Sequence, residues 1–138
     1  MRDIRTLSFR ILTVLFAGFM LLSAGLYLSG ATVIREGMAL LGYPAYITII
    51  LGTAKLLGAA ALVQPRVPLL REWAYAGFTI NLIGAAASHV LAGDAAGAGS
   101  PLLFLALLAV SYALKPSAVP ATSSVRAAAW TVAPQRQG

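Results

Sequence analysis

Long runs of apolar residues alternate along the chain with short segments that contain prolines, glycines and charges. These runs predict helices over about 9–31, 44–63, 73–92 and 100–115. Pro44 opens the second run, where a proline is tolerated because its missing N–H has no intrahelical partner in the first turn. Pro65 and Pro68 interrupt the pattern after it, since prolines this close cannot continue a helix. Because about 20 apolar residues cross a bilayer, the pattern predicts an all-α, four-helix transmembrane bundle.

The first and fourth runs each leave an alternative open. The first run is longer than the apolar region of a signal peptide, about 7–15 residues, which favours a retained helix. Ser29-Gly30-Ala31 nevertheless fits a signal-peptide cleavage site. The fourth run is strictly apolar only over 102–114, which also fits a re-entrant segment. Ser100 in front of it and a snorkelling Lys115 behind it extend the run enough to favour a span.

The distribution of basic residues predicts the topology. With a cytoplasmic N-terminus, the cytoplasmic side holds Arg2, Arg5, Arg10, Arg66, Arg71, Lys115, Arg126 and Arg136. The opposite side holds only Arg35. Lys and Arg concentrate in cytoplasmic segments, so we expect a multi-pass protein, placed in the bacterial inner membrane, with both termini cytoplasmic. After the transmembrane domain, 1–116, the composition shifts to Ala, Ser, Pro, Arg and Gln, which predicts a flexible, disordered tail over 117–138.

The overall composition supports a membrane location and excludes several chemistries. Of the 138 residues, 59% are hydrophobic and 10% are charged, whereas soluble domains carry about 25% charged residues. The absence of cysteine excludes thiolate metal sites, and a single histidine cannot supply a two-histidine site. We therefore expect no cofactor and no bound metal. The basic residues on the predicted cytoplasmic side account for the net charge of +6, so we expect no nucleic-acid partner.

Three polar residues are candidates for a cavity within the membrane. Lys55 lies near the middle of the second run, too deep for easy snorkelling, and therefore needs a partner. Asn81 lies at a similar depth in the antiparallel third run, and Glu72 lies at the head of that run. Small residues beside them, such as Gly52 and Gly84, predict that the two helix faces meet. The alternatives are an interhelical hydrogen bond for Lys55 and a helix-capping charge for Glu72.

A second candidate cluster, Ser88, His89 and Asp94, lies near the outer end of the third run. An imidazole at this depth can relay protons or hydrogen-bond a quinone carbonyl. The alternative is an ordinary interfacial histidine bound to a carbonyl. Tyr43 and Tyr75 fall near the predicted membrane interfaces, where aromatic side chains act as anchors.

Common sequence motifs of soluble enzymes are absent. The chain contains no GxxxxGK[ST], GxGxxG, HExxH or GxSxG sequence, which leaves nucleotide, zinc or serine hydrolysis without support. No residue is therefore predicted to be catalytic, and a role other than catalysis is favoured.

Four segments occur in an order that is hard to obtain by chance. They are Leu41-Gly42-Tyr43-Pro44, Lys55-Leu56-Leu57-Gly58, Arg71-Glu72-Trp73-Ala74-Tyr75-Ala76-Gly77-Phe78 and Ser88-His89. The stretch from about Leu40 to Leu114 resembles the DoxX-like family of small four-helix membrane proteins. The family is named after a membrane subunit of a thiosulfate:quinone oxidoreductase, and the resemblance implies an integral membrane protein. Lys55, Glu72 and His89 match polar positions of the family pattern, to which the resemblance attaches no catalytic role.

Two functions of different classes follow from these observations. The first is an accessory or assembly subunit of a membrane complex, with a quinone-linked complex as one option and a membrane-protein partner or a second copy as the contact. The alternative is a binder or transporter of a small apolar molecule, such as a quinone or a lipid-like ligand, through a cavity lined by Lys55, Asn81 and Glu72. Both place the chain in a lipid bilayer. An autonomous oxidoreductase fits least, because few residues here can hold a redox centre.

Overall fold

The computed structural model describes residues 2–116, and this part of the chain forms five α-helices. They are α1 (Arg2–Leu28), α2 (Thr32–Leu40), α3 (Ile47–Val63), α4 (Pro68–Leu91) and α5 (Gly99–Leu114). Residues 2–116 contain no β-strand, which confirms the all-α prediction. The tail predicted over 117–138 lies outside the described residues.

A short helix that the apolar runs do not predict, α2, lies between α1 and α3. Gly30 and Gly42 have φ angles of 67° and 79° and provide the left-handed turns after α1 and α2. Arg35 and Glu36 on α2 are exposed. With nine residues, two of them charged, α2 is too short to cross a membrane and too polar to stand out as an apolar run.

The connection between α3 and α4 explains why α4 begins before the predicted third run. Pro68 lies in the first turn of α4, where a proline is tolerated, so it starts a helix instead of breaking one. The Gln64 side chain stabilises the turn: its Nε2 donates to the Val67 carbonyl at 2.7 Å, and its Oε1 accepts from the Val67 N–H at 2.8 Å. Glu72 therefore lies within α4 and does not cap it.

The four longer helices pack side by side. α1 contacts α3 and α5, α4 contacts the same two helices, and the interface between α1 and α3 is the most extensive. The buried core lies where these helices meet and includes Phe16, Leu62, Phe78 and Leu108. The rings of Phe16 and Phe78 pack edge to face, with 5.2 Å between their centroids. This contact ties α1 to α4 across the centre of the protein.

The outer surface carries many large apolar side chains. Leu91 and Ile80 of α4, for example, are 87% and 72% exposed. α1 and α4 are long and apolar enough to cross a membrane, whereas α3 and α5 are apolar but shorter, with 17 and 16 residues. An exposed apolar surface of this extent is typical of a protein that contacts lipid.

Two glycines of α3 lie close to neighbouring helices, Gly52 to α1 and Gly58 to α4. A Cβ atom at Gly58 would lie 2.9 Å from Cζ of Phe78 on α4. A Cβ atom at Gly52 would lie 2.8 Å from Cγ of Leu28 on α1. Nothing within 4 Å meets the same position at Gly84. α3 and α4 do pack together, but the contact of small faces predicted for Gly52 and Gly84 does not form, because α1 approaches α3 at the level of Gly52.

Three hydroxyl groups form a buried cluster between α1, α4 and α5. The Ser111 Oγ lies 2.9 Å from Thr13 Oγ1 and 2.9 Å from Tyr75 Oη. Ser111 is 1% exposed and Tyr75 is 4% exposed. The prediction of Tyr75 as an interfacial anchor is therefore wrong, because its side chain turns inward to a hydroxyl partner. Hydrogen bonds of this kind stabilise helix contacts where no water is available.

We expect Ser111→Ala to lower the free energy of unfolding by about 1 kcal/mol, because the hydroxyls of Thr13 and Tyr75 lose their shared partner. Adding Tyr75→Phe removes one of the stranded hydroxyls, so the double variant is expected to lose less than the sum of the single losses. Unfolding in mixed detergent micelles, followed by circular dichroism, measures all three values. Strictly additive losses in the free energy of unfolding would show that the hydroxyls of Ser111 and Tyr75 do not interact.

Candidate functional site

A cavity of about 530 Å³ lies between α1, α3, α4 and α5, at the end of the protein where α2 is found. Its apolar lining includes Phe19, Leu26, Met38, Leu51, Leu82 and Phe104. Its polar lining includes Ser23, Tyr27, Tyr43, Lys55, Asn81, Ser88, His89 and Ser100. We call this space the lysine cavity. It brings together residues from both of the clusters that the sequence predicts.

Two neutral groups within residues 2–116 hold the Lys55 ammonium. Its Nζ donates a hydrogen bond to Ser23 Oγ at 2.8 Å and lies 3.8 Å from the centroid of the Tyr27 ring. The ring attracts the ammonium through its negative face. Within residues 2–116 no carboxylate lies within ion-pair distance of Lys55. The ammonium therefore borders the lysine cavity without a counter-charge from the described part of the chain.

The partner of Lys55 differs from the one that its depth suggests. Asn81 is at the wall of the same cavity, but the hydrogen bond of Lys55 goes to Ser23 on α1. The reason lies in Gly52, three residues before Lys55, whose missing side chain lets α1 approach α3 closely. α1 thus offers a hydroxyl acceptor within reach of the ammonium.

Asn81 lies between two cavities. A smaller cavity of about 280 Å³ between α3 and α4 shares both Asn81 and Lys55 with the lysine cavity. The side-chain amide of Asn81 forms no hydrogen bond within residues 2–116 and keeps its donors and acceptor available. The structure therefore brings Lys55 and Asn81 to one site without a direct bond between them.

Glu72 is separated from that site. Its carboxylate binds Lys115 Nζ and accepts a hydrogen bond from Tyr112 Oη at 3.2 Å, both from the end of α5. It lines neither of the two cavities that Lys55 borders. The expectation of one cavity shared by Lys55, Asn81 and Glu72 is therefore corrected. Glu72 lies closer to the N-terminal end of α4 than Asn81 does, and there it meets Lys115 at the end of α5.

The predicted cluster of Ser88, His89 and Asp94 lies at the other end of α4. His89 Nδ1 is 2.8 Å from Asp94 Oδ2, and the Gly97 N–H donates to Asp94 Oδ1 at 3.0 Å. The hydrogen bond with His89, followed by that from Gly97, holds the pKa of Asp94 below its ordinary value. A Cβ atom at Gly97 would overlap both side chains, so this pairing requires a glycine. Asp94 thus orients the imidazole, and His89 itself lines the lysine cavity.

Ser88 links α4 to the segment that follows α2. Its hydroxyl lies 2.7 Å from Tyr43 Oη and donates to the Gly84 carbonyl at 2.8 Å. Tyr43, which the sequence suggests as a membrane anchor, therefore also forms part of the cavity wall. Ser88 and His89 share the lysine cavity with Lys55 and Asn81, whereas Asp94 supports the site from outside it.

Sequence reasoning did not identify Ser23 and Tyr27, the two side chains that hold Lys55. Their signal is weak: a serine and a tyrosine four residues apart in the first apolar run lie on one helix face. Nothing in the order of residues indicates which of the other helices that face meets.

Comparison with known proteins identifies the family of the chain. The sequence pattern of the DoxX-like family matches residues 11–111, which is most of the chain. Neither the curated proteins nor the solved structures that were compared with the chain gave a match. The family match, together with apolar helices long enough to enter a bilayer, indicates a membrane protein. The chain therefore belongs to the DoxX-like family.

Proposed function

We propose that this protein binds a small, largely apolar molecule within the membrane, and that Lys55 recognises an anionic or carbonyl oxygen of that molecule. The observation that carries the proposal is the position of the Lys55 ammonium at the wall of an apolar cavity, where its partners within residues 2–116 are a serine hydroxyl and a tyrosine ring. An ammonium at membrane depth is costly without a partner. A carboxylate, or a carbonyl such as that of a quinone, would meet this need through a charge-assisted hydrogen bond.

The volume and the lining of the lysine cavity suit a ligand with a polar group at one or both ends. A volume of about 530 Å³ falls in the range of known small-molecule sites, and the apolar wall suits a hydrocarbon body. Asn81 provides further hydrogen-bonding groups beside Lys55. His89, whose Nδ1 is occupied by Asp94, has Nε2 left for a ligand. Binding or transport of a quinone or a lipid-like molecule fits this arrangement.

For the membrane arrangement we propose four spans, formed by α1, α3, α4 and α5, with both termini in the cytoplasm of a bacterial cell. The side-by-side packing of these helices and the basic residues near the N-terminal end of α1 and between α3 and α4 support this topology. In that orientation α2 and His89 are on the outer side. The lysine cavity then faces away from the cytoplasm, in contrast to a cavity completed by Glu72.

Native mass spectrometry of the protein in mild detergent tests the proposal. We expect a copurified molecule of a few hundred daltons on the wild type and its loss, by about tenfold or more in occupancy, in Lys55→Met, which removes one charge-assisted hydrogen bond. Ser23→Ala is the control, because it removes the protein partner of the ammonium but leaves the ammonium itself. Retention of the molecule in Ser23→Ala supports the proposal.

Two outcomes contradict this role. If the wild type carries no molecule even after incubation with a quinone or a fatty acid, the lysine cavity is not a binding site. If Ser23→Ala and Lys55→Met destabilise the protein equally and release the molecule equally, Lys55 only joins α1 to α3.

A second candidate function, an accessory or assembly subunit of a membrane complex, is favoured by the short connections between the helices, which leave no room for a separate catalytic domain. In that case affinity purification from membranes recovers a membrane-protein partner in fixed ratio, and Lys55→Met leaves this association intact.

A further inference from the structure

A second cavity of about 530 Å³ lies at the opposite end of the protein from α2. It is lined by the first part of α1, the end of α3 and the connection that follows it, the first turns of α4, and Pro116 beyond α5. Its lining residues are Thr6, Phe9, Arg10, Thr13, Val14, Leu62, Val63, Pro65, Arg71 and Pro116. We call it the arginine cavity. It shares no lining residue with the lysine cavity.

The two arginines of this cavity are not neutralised by the described part of the chain. Arg71 Nη2 donates to the Gln64 carbonyl at 2.8 Å, but the buried Arg71 Nε has no hydrogen-bond partner within residues 2–116. Arg10 is exposed and forms no ion pair within those residues. Glu72, which follows Arg71 directly, is bound by Lys115, and within residues 2–116 no ion pair joins Asp3 to either arginine. A buried guanidinium N–H is costly without an acceptor, and an anion is a strong acceptor for it.

Neither the lining of the arginine cavity nor the segment 117–138 contains an acidic side chain. None of the residues that line the arginine cavity is acidic. The segment 117–138, which continues from Pro116, contains two arginines and neither aspartate nor glutamate. Acidic side chains from that segment are therefore excluded as partners of Arg71 and Arg10. An anion from another molecule would fit the two arginines.

We propose that the arginine cavity binds the phosphate of an anionic phospholipid, with Arg71 and Arg10 as the phosphate ligands and the hydroxyl of Thr6 beside them. Guanidinium groups bind phosphate through paired, charge-assisted hydrogen bonds. Phe9, Leu62 and Val63 give the same cavity an apolar wall that suits the start of an acyl chain. This combination favours a lipid over free phosphate, because free phosphate gains nothing from an apolar wall. Basic pockets between helices at the cytoplasmic surface are a known way to hold anionic head groups.

Titration of the purified protein with phosphatidylglycerol, followed by native mass spectrometry, tests this site. Phosphatidylcholine is titrated in parallel, and inorganic phosphate is titrated with thermal unfolding as the readout. We expect the wild type to retain phosphatidylglycerol in preference to phosphatidylcholine. Arg71→Gln and Arg10→Gln are each expected to weaken that binding by about tenfold, as the loss of one charge-assisted hydrogen bond does. Arg10→Gln keeps the assay decisive if Arg71→Gln disturbs the connection at Gln64.

Arg66→Gln is the matched control, because Arg66 lies in the same connection as Pro65, is exposed and does not line the cavity. It is expected to leave phosphatidylglycerol binding unchanged, and so is Lys55→Met, which keeps this test independent of the lysine cavity. Equal losses in all three arginine variants would show attraction to a diffuse basic surface and overturn the site. Stabilisation by inorganic phosphate, without preference for the anionic lipid, would overturn the choice of a lipid.

Discussion

Gly58→Leu is expected to lower the free energy of unfolding by about 1–3 kcal/mol, the usual cost of forcing extra atoms into a well-packed interior. The first added atom would already lie 2.9 Å from Cζ of Phe78. Phe78 is 4% exposed and packs edge to face on Phe16, so its ring has little space to move into. A leucine also favours the helix by nearly 1 kcal/mol over a glycine, and the measured loss is the balance of the two. Unfolding in mixed detergent micelles, followed by circular dichroism, gives this value.

Gly18→Leu is the control for this substitution. Gly18 is exposed on α1, lines none of the three cavities described, and has nothing within 4 Å of the position of a Cβ atom. Only the gain in helix propensity remains there, so we expect unchanged or slightly higher stability. If Gly58→Leu is as stable as Gly18→Leu, the close contact between α3 and α4 does not exist in the folded protein.

Phe78→Ala is expected to lower the free energy of unfolding by about 2 kcal/mol. It leaves a cavity of about 100 Å³, and each Å³ of cavity costs about 24 cal/mol of stability. We take only this cavity contribution, since moving an apolar side chain between a protein core and lipid gains little from the hydrophobic effect. What is lost is the edge-to-face contact of the ring with Phe16 and the filling of the space beside Gly58. The same unfolding assay in mixed micelles measures the loss.

Ile80→Ala is the matched control on the same helix. Ile80 is 72% exposed and has no place in the core, so its truncation removes contacts with lipid or detergent and leaves the interior filled. We expect a change of less than about 0.5 kcal/mol, as for other surface substitutions. A loss as large as that of Phe78→Ala would mean that this face of α4 packs against protein, such as a second copy.

Gly58 and Phe78 lie at the same contact between α3 and α4, so the stability losses of their variants can be checked against each other. In a Gly58→Ala background, Phe78→Leu shortens the side chain that the new methyl group meets. The combined loss is then expected to be smaller than the sum of the two single losses, because the shorter side chain relieves the overlap.

The apolar runs contain enough information for the helical class and for the positions of the longer helices. Lys55 and His89 stand out in them because a charged or polar side chain in such a run is costly wherever the helix is placed. The family resemblance, carried by segments such as Lys55-Leu56-Leu57-Gly58, was confirmed by the match over residues 11–111. α2 was not predicted, since a short helix with two charges has no long apolar pattern.

Partners were harder to predict than positions. Depth along a helix limits a side chain to a layer of the bilayer, and Asn81 is the partner that depth suggests for Lys55, whereas the structure pairs it with Ser23. The sequence suggests Glu72 either in a cavity with Lys55 or as a helix cap, whereas the structure pairs it with Lys115 at the end of α5. Tyr75 sits on the inner face of α4, which its place near the end of an apolar run does not reveal.

Motifs such as Lys55-Leu56-Leu57-Gly58 carry the likeness to the DoxX-like family. Composition and periodicity alone predict a helical chain built for an apolar surrounding, with an ionisable side chain deep in one helix. They do so because the cost of exposing or burying a side chain is a property of that residue and its near neighbours. Which residues meet was decided only by the tertiary structure, which joins Lys55 to Ser23, His89 to Asp94 and Glu72 to Lys115. Those pairings depend on how each helix is rotated and on how closely its glycines let the next helix approach. The residues of one segment alone determine neither of these.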